Sequence, residues 1–346
     1  MGQEVQNLKL EDLEKQLKQG ILKGIYLLYG EEMFLLENSL KNIKKLFGEK
    51  LAGINYILID DTNVQQIISD LETPAFGFEK KLIIARNTGL FKKDAKKKGK
   101  SDNLNLKEKL NTYIKEKIEE INETTVLVFV EENVEKCELL TTIEKLGIVC
   151  NFEYQKAFQI QNRLKAITNA YKVDVDLSTL GYLIECCGTD MQELINETRK
   201  LIEYTGEGNK ITKEAIDKLS IKKMESIIFD LTDNLGKKNT KEAIEVLRNL
   251  VLAKEPLQKI LITLYNHFKK LYLTKFAINT KRDVASSLDL KPNQTFLVNK
   301  YKAQANYFSL KELRRILQEL CDLDYKYKIG LIDLQVGLES ILCAYI

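Results

Sequence analysis

Five short apolar runs punctuate the first part of the chain: Ile25–Tyr29, Ile54–Ile59, Leu82–Ala85, Val126–Val130 and Ile148–Phe152. They are nearly continuous Ile, Leu and Val rather than alternating, which is the pattern of strands covered on both faces. Helical spacing fills the gaps between them. Met33, Leu36, Leu40, Ile43 and Phe47 make one stripe, and Leu106, Leu110, Tyr113, Ile114 and Ile121 make another. Asn105 and Glu108 stand where a capping box would open that second helix. Strand and helix alternating in this way predict an α/β domain with a mostly parallel sheet wrapped by helices.

From Tyr154 onward strand patterning stops. Leu180, Leu183 and Ile184 share one helical face, and Leu194, Ile195, Leu201 and Ile202 another. Gly206-Glu-Gly208-Asn marks a turn, after which Thr212 caps a short helix and Ile211 staples onto Ile216. Pro256 suits the first turn of a long helix whose stripe runs Leu257, Ile260, Leu261, Leu264, Phe268 and Leu271. Phe308-Ser309-Leu-Lys-Glu312-Leu313 is a complete start signal, with Ser309 as cap and Glu312 closing the box. The closing stretch Leu331–Ile346 is apolar around much of its circumference, so it is expected to pack inside its domain or against another subunit. The expected division is an α/β domain over residues 1–153, a small three-helix domain over 154–220 and a larger all-α domain over 221–346.

Composition narrows the chemistry. The chain has 346 residues, more than a single core usually serves. It holds one histidine, so multi-histidine metal sites are excluded, and a nucleophile–histidine device could use only His267, which sits within a helical stripe. Six cysteines at 137, 150, 186, 187, 321 and 343 form no C-x-x-C pair and read as reduced thiols. No apolar run approaches the ~18–20 residues of a bilayer span, and the first residues are polar and charged, so a soluble, cytoplasmic protein without a membrane partner is expected. With a net charge of +3 and only seven arginines, the chain does not read as a dedicated sequence-reading nucleic-acid binder. Contact with a phosphate backbone through lysine remains open. The run from Phe91 to Asp102 holds six lysines and reads as a solvated loop or, less economically, a phosphate contact.

The first strand runs into Gly30-Glu31-Glu32 and then a helix, the place where a nucleotide-binding domain carries its P-loop. A P-loop needs several glycines and a lysine, whereas here Gly30 stands alone and two carboxylates follow. Asp60-Asp61 and Glu131-Glu132 end strands in the manner of a Walker-B line, but without a phosphate cradle a metal would lack its main ligand. No metal, cofactor or catalytic residue is therefore assigned. The segment Leu71-Glu-Thr-Pro74-Ala75-Phe76-Gly77-Phe78-Glu-Lys-Lys-Leu82 stands out. A helix over Val64–Leu71 should end near Pro74. The two phenylalanines beyond it either pack under the sheet or project as an apolar plug for a partner.

The ordered set of segments resembles the delta-subunit family of bacterial DNA polymerase III clamp loaders. The matching segments are Ile25-Tyr-Leu-Leu-Tyr-Gly-Glu-Glu-Met-Phe-Leu, Thr73-Pro-Ala-Phe-Gly-Phe-Glu-Lys-Lys-Leu-Ile-Ile, Ile228-Phe-Asp-Leu-Thr-Asp with Ala243-Ile-Glu-Val-Leu-Arg, Gln304-Ala-Asn-Tyr-Phe-Ser-Leu-Lys-Glu-Leu, and Asp324-Tyr-Lys-Tyr-Lys-Ile-Gly. The resemblance implies an AAA+-like first domain, a helical lid and a helical collar. It also implies a subunit of the polymerase holoenzyme with no ATP hydrolysis of its own. Its implied partners are the sliding clamp (beta), the ATPase subunits (gamma/tau), delta-prime, and primed DNA within the assembled complex. The family's clamp-contacting tip falls on Ala75 and Phe76; Ala75 is smaller than the Leu or Phe often found there, and Phe78 contributes. Gly30, Glu31 and Glu32 fall on its degenerate P-loop. Two rival readings make different demands. An AAA+-type ATPase with an atypical site would bind nucleotide as an isolated chain, and a helical nucleic-acid-binding adaptor would bind DNA alone with steep salt dependence.

Overall fold

A computed structural model describes residues 8–92 and 101–344, which form two compact units divided between Tyr154 and Gln155. The first unit holds β1 (Ile25–Tyr29), β2 (Tyr56–Ile59), β3 (Lys81–Arg86), β4 (Thr125–Glu131) and β5 (Ile148–Asn151). All pair in parallel, in the order β2-β3-β4-β1-β5. Its helices are α1 (Leu10–Lys18), α2 (Met33–Phe47), α3 (Ile67–Glu72), α4 (Ser101–Glu116), α5 (Ile118–Thr124) and α6 (Glu138–Leu146).

The continuous apolar strands have a direct cause. Ile25, Leu27, Ile83, Ala85, Leu127 and Phe129 pack on one face, against apolar residues of α3, α4, α5 and α6. Tyr26, Leu28, Leu82, Ile84, Val126 and Val128 pack on the other face, against α1 and α2. With helices on both sides no polar face is required. Each fully buried Leu, Ile, Val or Phe side chain contributes about 1.5–3 kcal/mol.

Three local expectations shift. The cap-box residues Asn105 and Glu108 lie inside α4, which starts at Ser101. No glycine or proline separates Ser101 from Asn105, so the helix propagates through them. Met33 is exposed rather than part of the α2 stripe, which buries Leu35, Leu36, Leu40 and Ile43. Of the lysine-rich run, residues 93–100 lie outside the described residues.

The second unit is helical: α7 (Ala157–Ala170), α8 (Leu177–Cys187), α9 (Met191–Thr205), α10 (Lys213–Leu219), α11 (Met224–Gly236), α12 (Thr240–Leu252), α13 (Leu257–Asn279), α14 (Val284–Ser287), α15 (Leu297–Ala305), α16 (Leu310–Lys328) and α17 (Leu334–Cys343). The capping signals act as local chemistry dictates. The Thr212 hydroxyl accepts from the Ala215 N–H. At α16 the Ser309 hydroxyl accepts from the Glu312 N–H, while the Glu312 carboxylate accepts from the Ser309 N–H. The last helix starts three residues later than its apolar pattern suggests. Gly330 takes φ +74 and the Asp333 carboxylate caps the Val336 N–H, which leaves Leu331 outside the helix and exposed. Among the described residues no helix is long and apolar enough to cross a membrane.

Candidate functional site

The P-loop position lies at the C-terminal end of β1. Gly30 adopts φ +129, and a Cβ there would sit 2.4 Å from the carbonyl oxygen of Phe152. A phosphate cradle needs backbone N–H groups aimed at the anion. In this turn the Gly30 N–H donates to the Glu131 carbonyl at 3.3 Å, and the Glu32 N–H donates to the Phe152 carbonyl at 2.9 Å. The segment after β5 is thus bonded directly to the turn. Glu31 is exposed at the mouth of the turn, and Glu32 is buried at the start of α2.

The Walker-B-like acids are also engaged. The buried Glu131 carboxylate accepts from the Thr88 N–H at 2.9 Å and from its hydroxyl at 2.6 Å. Burial pushes this carboxyl up in pKa, and the two Thr88 bonds oppose that rise. Asp60 accepts from the hydroxyl and N–H of Thr62, which lower its pKa. Among the described residues no group of three or more His, Cys, Asp and Glu could hold a metal ion.

The segment with the two phenylalanines lies at the opposite end of the sheet, because it precedes β3 whereas Gly30 follows the parallel strand β1. Strands of five or six residues at ~3.3 Å each set these ends ~17–20 Å apart. The two candidate sites are therefore separate. Helix α3 ends at Glu72; Thr73 turns extended, with ψ 126, as a residue before proline prefers. Its N–H and hydroxyl both donate to the Ser69 carbonyl. A tight turn follows in which the Phe78 N–H donates to the Ala75 carbonyl at 3.0 Å. Gly77 holds the third place at φ +81, as a type II turn demands.

This turn lifts Phe76 off the surface. Its side chain is 90% exposed, while Ala75 and Phe78 are half-buried beside it. An isolated exposed Phe at the apex of a hydrogen-bonded turn gains nothing for the fold, so it represents unspent apolar area.

Two lysines tie the corner down. Lys80 Nζ donates to the Asn122 carbonyl at 2.9 Å, and the Asn122 side-chain oxygen accepts from the Gly24 N–H just before β1. Lys81 is 2% exposed, and its Nζ donates to the carbonyls of Asp70 and Thr73. Burial pushes its amine down in pKa, while the nearby Asp70 carboxylate pulls it up. Lys81 stands just before the apolar run Leu82–Ala85 that predicts this strand, and it is the first residue of β3. The available signal was its parity: Lys81 shares a face of β3 with Ile83 and Ala85, the face that α3 covers.

Comparison with known proteins gives the geometry its context. Residues 26–153 match the family model for DNA polymerase III, delta subunit, and residues 225–345 match that for the delta subunit's C-terminal domain. The chain is 25% identical over 340 residues to the DNA polymerase III subunit delta of Bacillus subtilis, spanning 96% of this chain and 95% of that one. It is 26% identical over 318 residues to a probable DNA polymerase III subunit delta of Aquifex aeolicus, spanning 87% and 85%. The solved structure of the Bacillus subtilis DNA clamp loader delta protein superposes with a TM-score of 0.73 at 24% identity, covering 97% of this chain and 99% of that one, which establishes the shared fold. With family models matching its residues 26–153 and 225–345, and 96% of its length aligned to a relative, the chain belongs to the DNA polymerase III delta subunit family of clamp-loader proteins.

Proposed function

We propose that this chain holds the sliding clamp through the Phe76 corner and favours the clamp's open form, without hydrolysing ATP itself. The observation that carries the reading is the 90% exposure of Phe76 on a corner bonded to α3, β3 and α5. In this reading Phe76 enters an apolar pocket of the clamp, with Ala75 and Phe78 at its rim. ATP bound by the partner subunits uncovers the corner. The contact then opens the ring only to the extent that Phe76 binds the open form more tightly than the closed one. The test is a titration of the clamp with the isolated full-length chain. A stable complex without nucleotide is expected, and failure to bind under any nucleotide condition would sink the reading.

The non-catalytic part rests on the turn at Gly30. With the Gly30 and Glu32 N–H groups donating to Glu131 and Phe152, and Glu31 at the mouth, an incoming triphosphate finds neither a glycine-rich cradle nor a lysine. A titration of the isolated chain with ATP and magnesium should stay flat. Saturable binding would revive the reading of an active ATPase.

The remaining partners are assigned to the helical unit. Leu252, Leu331 and Val336 expose most of their apolar surface, as expected of residues that meet the gamma/tau and delta-prime collars. A contact with primed DNA is supported by charge. Between Pro256 and Lys302 the chain carries nine Lys or Arg against two Asp or Glu, far above its overall balance of +3. On this stretch Arg282 lies 5.8 Å over the Phe276 ring, which stacks on Tyr272. In the assembled loader, a Lys269→Glu, Lys275→Glu, Arg282→Glu variant should bind primed DNA more weakly. Its salt slope should fall by about one unit per lost phosphate contact. An unchanged slope would remove this stretch from the DNA path.

A further inference from the structure

A buried lysine needs a reason. Lys81 is 2% exposed at the start of β3, where an apolar residue would fill the same space without desolvating an ammonium. Its Nζ is spent on two carbonyls, those of Asp70 and Thr73. Both belong to the C-terminal end of α3, where carbonyls lack helical partners and a cation is favoured. They immediately precede the turn at residues 75–78. Lys81 itself is fixed in the sheet, paired in register with Thr125 of β4. One side chain thus joins the rigid sheet to both sides of the junction between α3 and the Phe76 corner.

The consequence concerns binding more than folding. The corner's own backbone bonds are few: Thr73 to Ser69 and Phe78 to Ala75. Gly77 has nothing within 4 Å of where its Cβ would be, so packing does not restrain the apex. A corner left loose would have to be ordered when a partner docks, and that ordering is subtracted from the affinity. We propose that Lys81 is a positioning residue for Phe76, holding the end of α3 and the 73–80 corner in the docking-ready conformation. The inference rests on the proposed clamp contact and adds to it the residue that pre-organises the contact.

The test uses the full-length chain and two measurements. The first is amide hydrogen exchange at Thr73 and Phe78, whose N–H groups are bonded within the corner. The second is affinity for the sliding clamp. In Lys81→Met, exchange at these two amides should accelerate at least about tenfold while Ile83 in β3 keeps its protection. Clamp affinity should fall about tenfold, a factor equal to ~1.4 kcal/mol. Lys81→Arg, which keeps the cation and its donors, should recover part of both. Should Lys81→Met fail to fold, Lys81→Gln decides, since its neutral amide is too short to reach both carbonyls. Unchanged exchange in the folded variant overturns the positioning role, and so does faster exchange with clamp affinity intact. Failure of the clamp contact itself reads differently: Phe76→Ala would then bind the clamp as wild type does, while the exchange result at Lys81 would be untouched.

Discussion

Replacing Phe76 with alanine should lower the affinity of the full-length chain for the sliding clamp by roughly ten- to a hundredfold, with the fold intact. The size follows from the area at stake. Burying a phenylalanine side chain is worth ~1.5–3 kcal/mol, and each 1.4 kcal/mol is about a factor of ten. The fold is spared because Phe76 is 90% exposed and supports nothing beneath it. Thermal unfolding of the variant should therefore coincide with wild type while clamp titration does not. The loss should appear mainly in the dissociation rate, since removing an apolar anchor leaves electrostatic encounter unchanged. Phe78→Ala should behave differently. Phe78 is half-buried, so its loss should lower stability as well as binding. A Phe76→Ala protein that binds the clamp at wild-type strength would place the contact elsewhere.

The second large effect concerns acid stability of the helical unit. His267 is 4% exposed on α13. Its Nε2 lies 2.9 Å from the side-chain oxygen of Gln304, whose amide nitrogen donates to the Phe229 carbonyl. The latter bond fixes which end of Gln304 faces the ring, so Nε2 carries the proton and donates. Phe229 meets the imidazole edge-on at 4.5 Å, and Tyr301 lies at 5.5 Å. Burial lowers the pKa of this ring from 6.5 to about 4, with Lys270 adding to the depression and Gln304 opposing it.

The unfolded chain therefore binds a proton that the folded chain refuses, and stability rises with pH across that window. The full contribution is present above about pH 6.5 and is lost as pH falls toward 4. A shift of this size amounts to roughly 3 kcal/mol, of which about 2 is gone by pH 5. Urea unfolding between pH 7 and 5 avoids most carboxylate titration and reads this term. His267→Gln should flatten the slope while lowering stability at pH 7 through lost packing. An equally steep slope in that variant would assign the acid sensitivity to another group.

The histidine also illustrates what was legible from the chain alone. Its position within a helical pattern beside Phe268 is a short-range fact, whereas its burial depends on what packs against α13. Its partner Gln304 lies 37 positions away, and nothing in its spelling marks a polar residue for the interior. Strand identities were legible because continuous Ile, Leu and Val runs are required where helices cover both sheet faces, as at β1, β3 and β4; the edge strand β2 starts only at Tyr56 and leaves Leu58 exposed. Helix starts were legible where the cap is local, as at Ser309 and Thr212. They were misplaced where propagation overrides the local signal, as at Asn105.

The same division applies to the two sites. Sequence alone determined that Gly30 lacks the glycines and lysine of a phosphate cradle, and that an aromatic pair follows a proline break before β3. Both are short-range facts, set by residue type and spacing within a few positions. Only the tertiary structure decided that Phe76 projects while Phe78 leans inward, that the Phe152 carbonyl takes up the turn at Gly30, and that Lys81 reaches back under α3. Each of these depends on which segments the sheet order brings side by side. Burial and hydrogen-bond partners belong to that arrangement in space, not to neighbours along the chain.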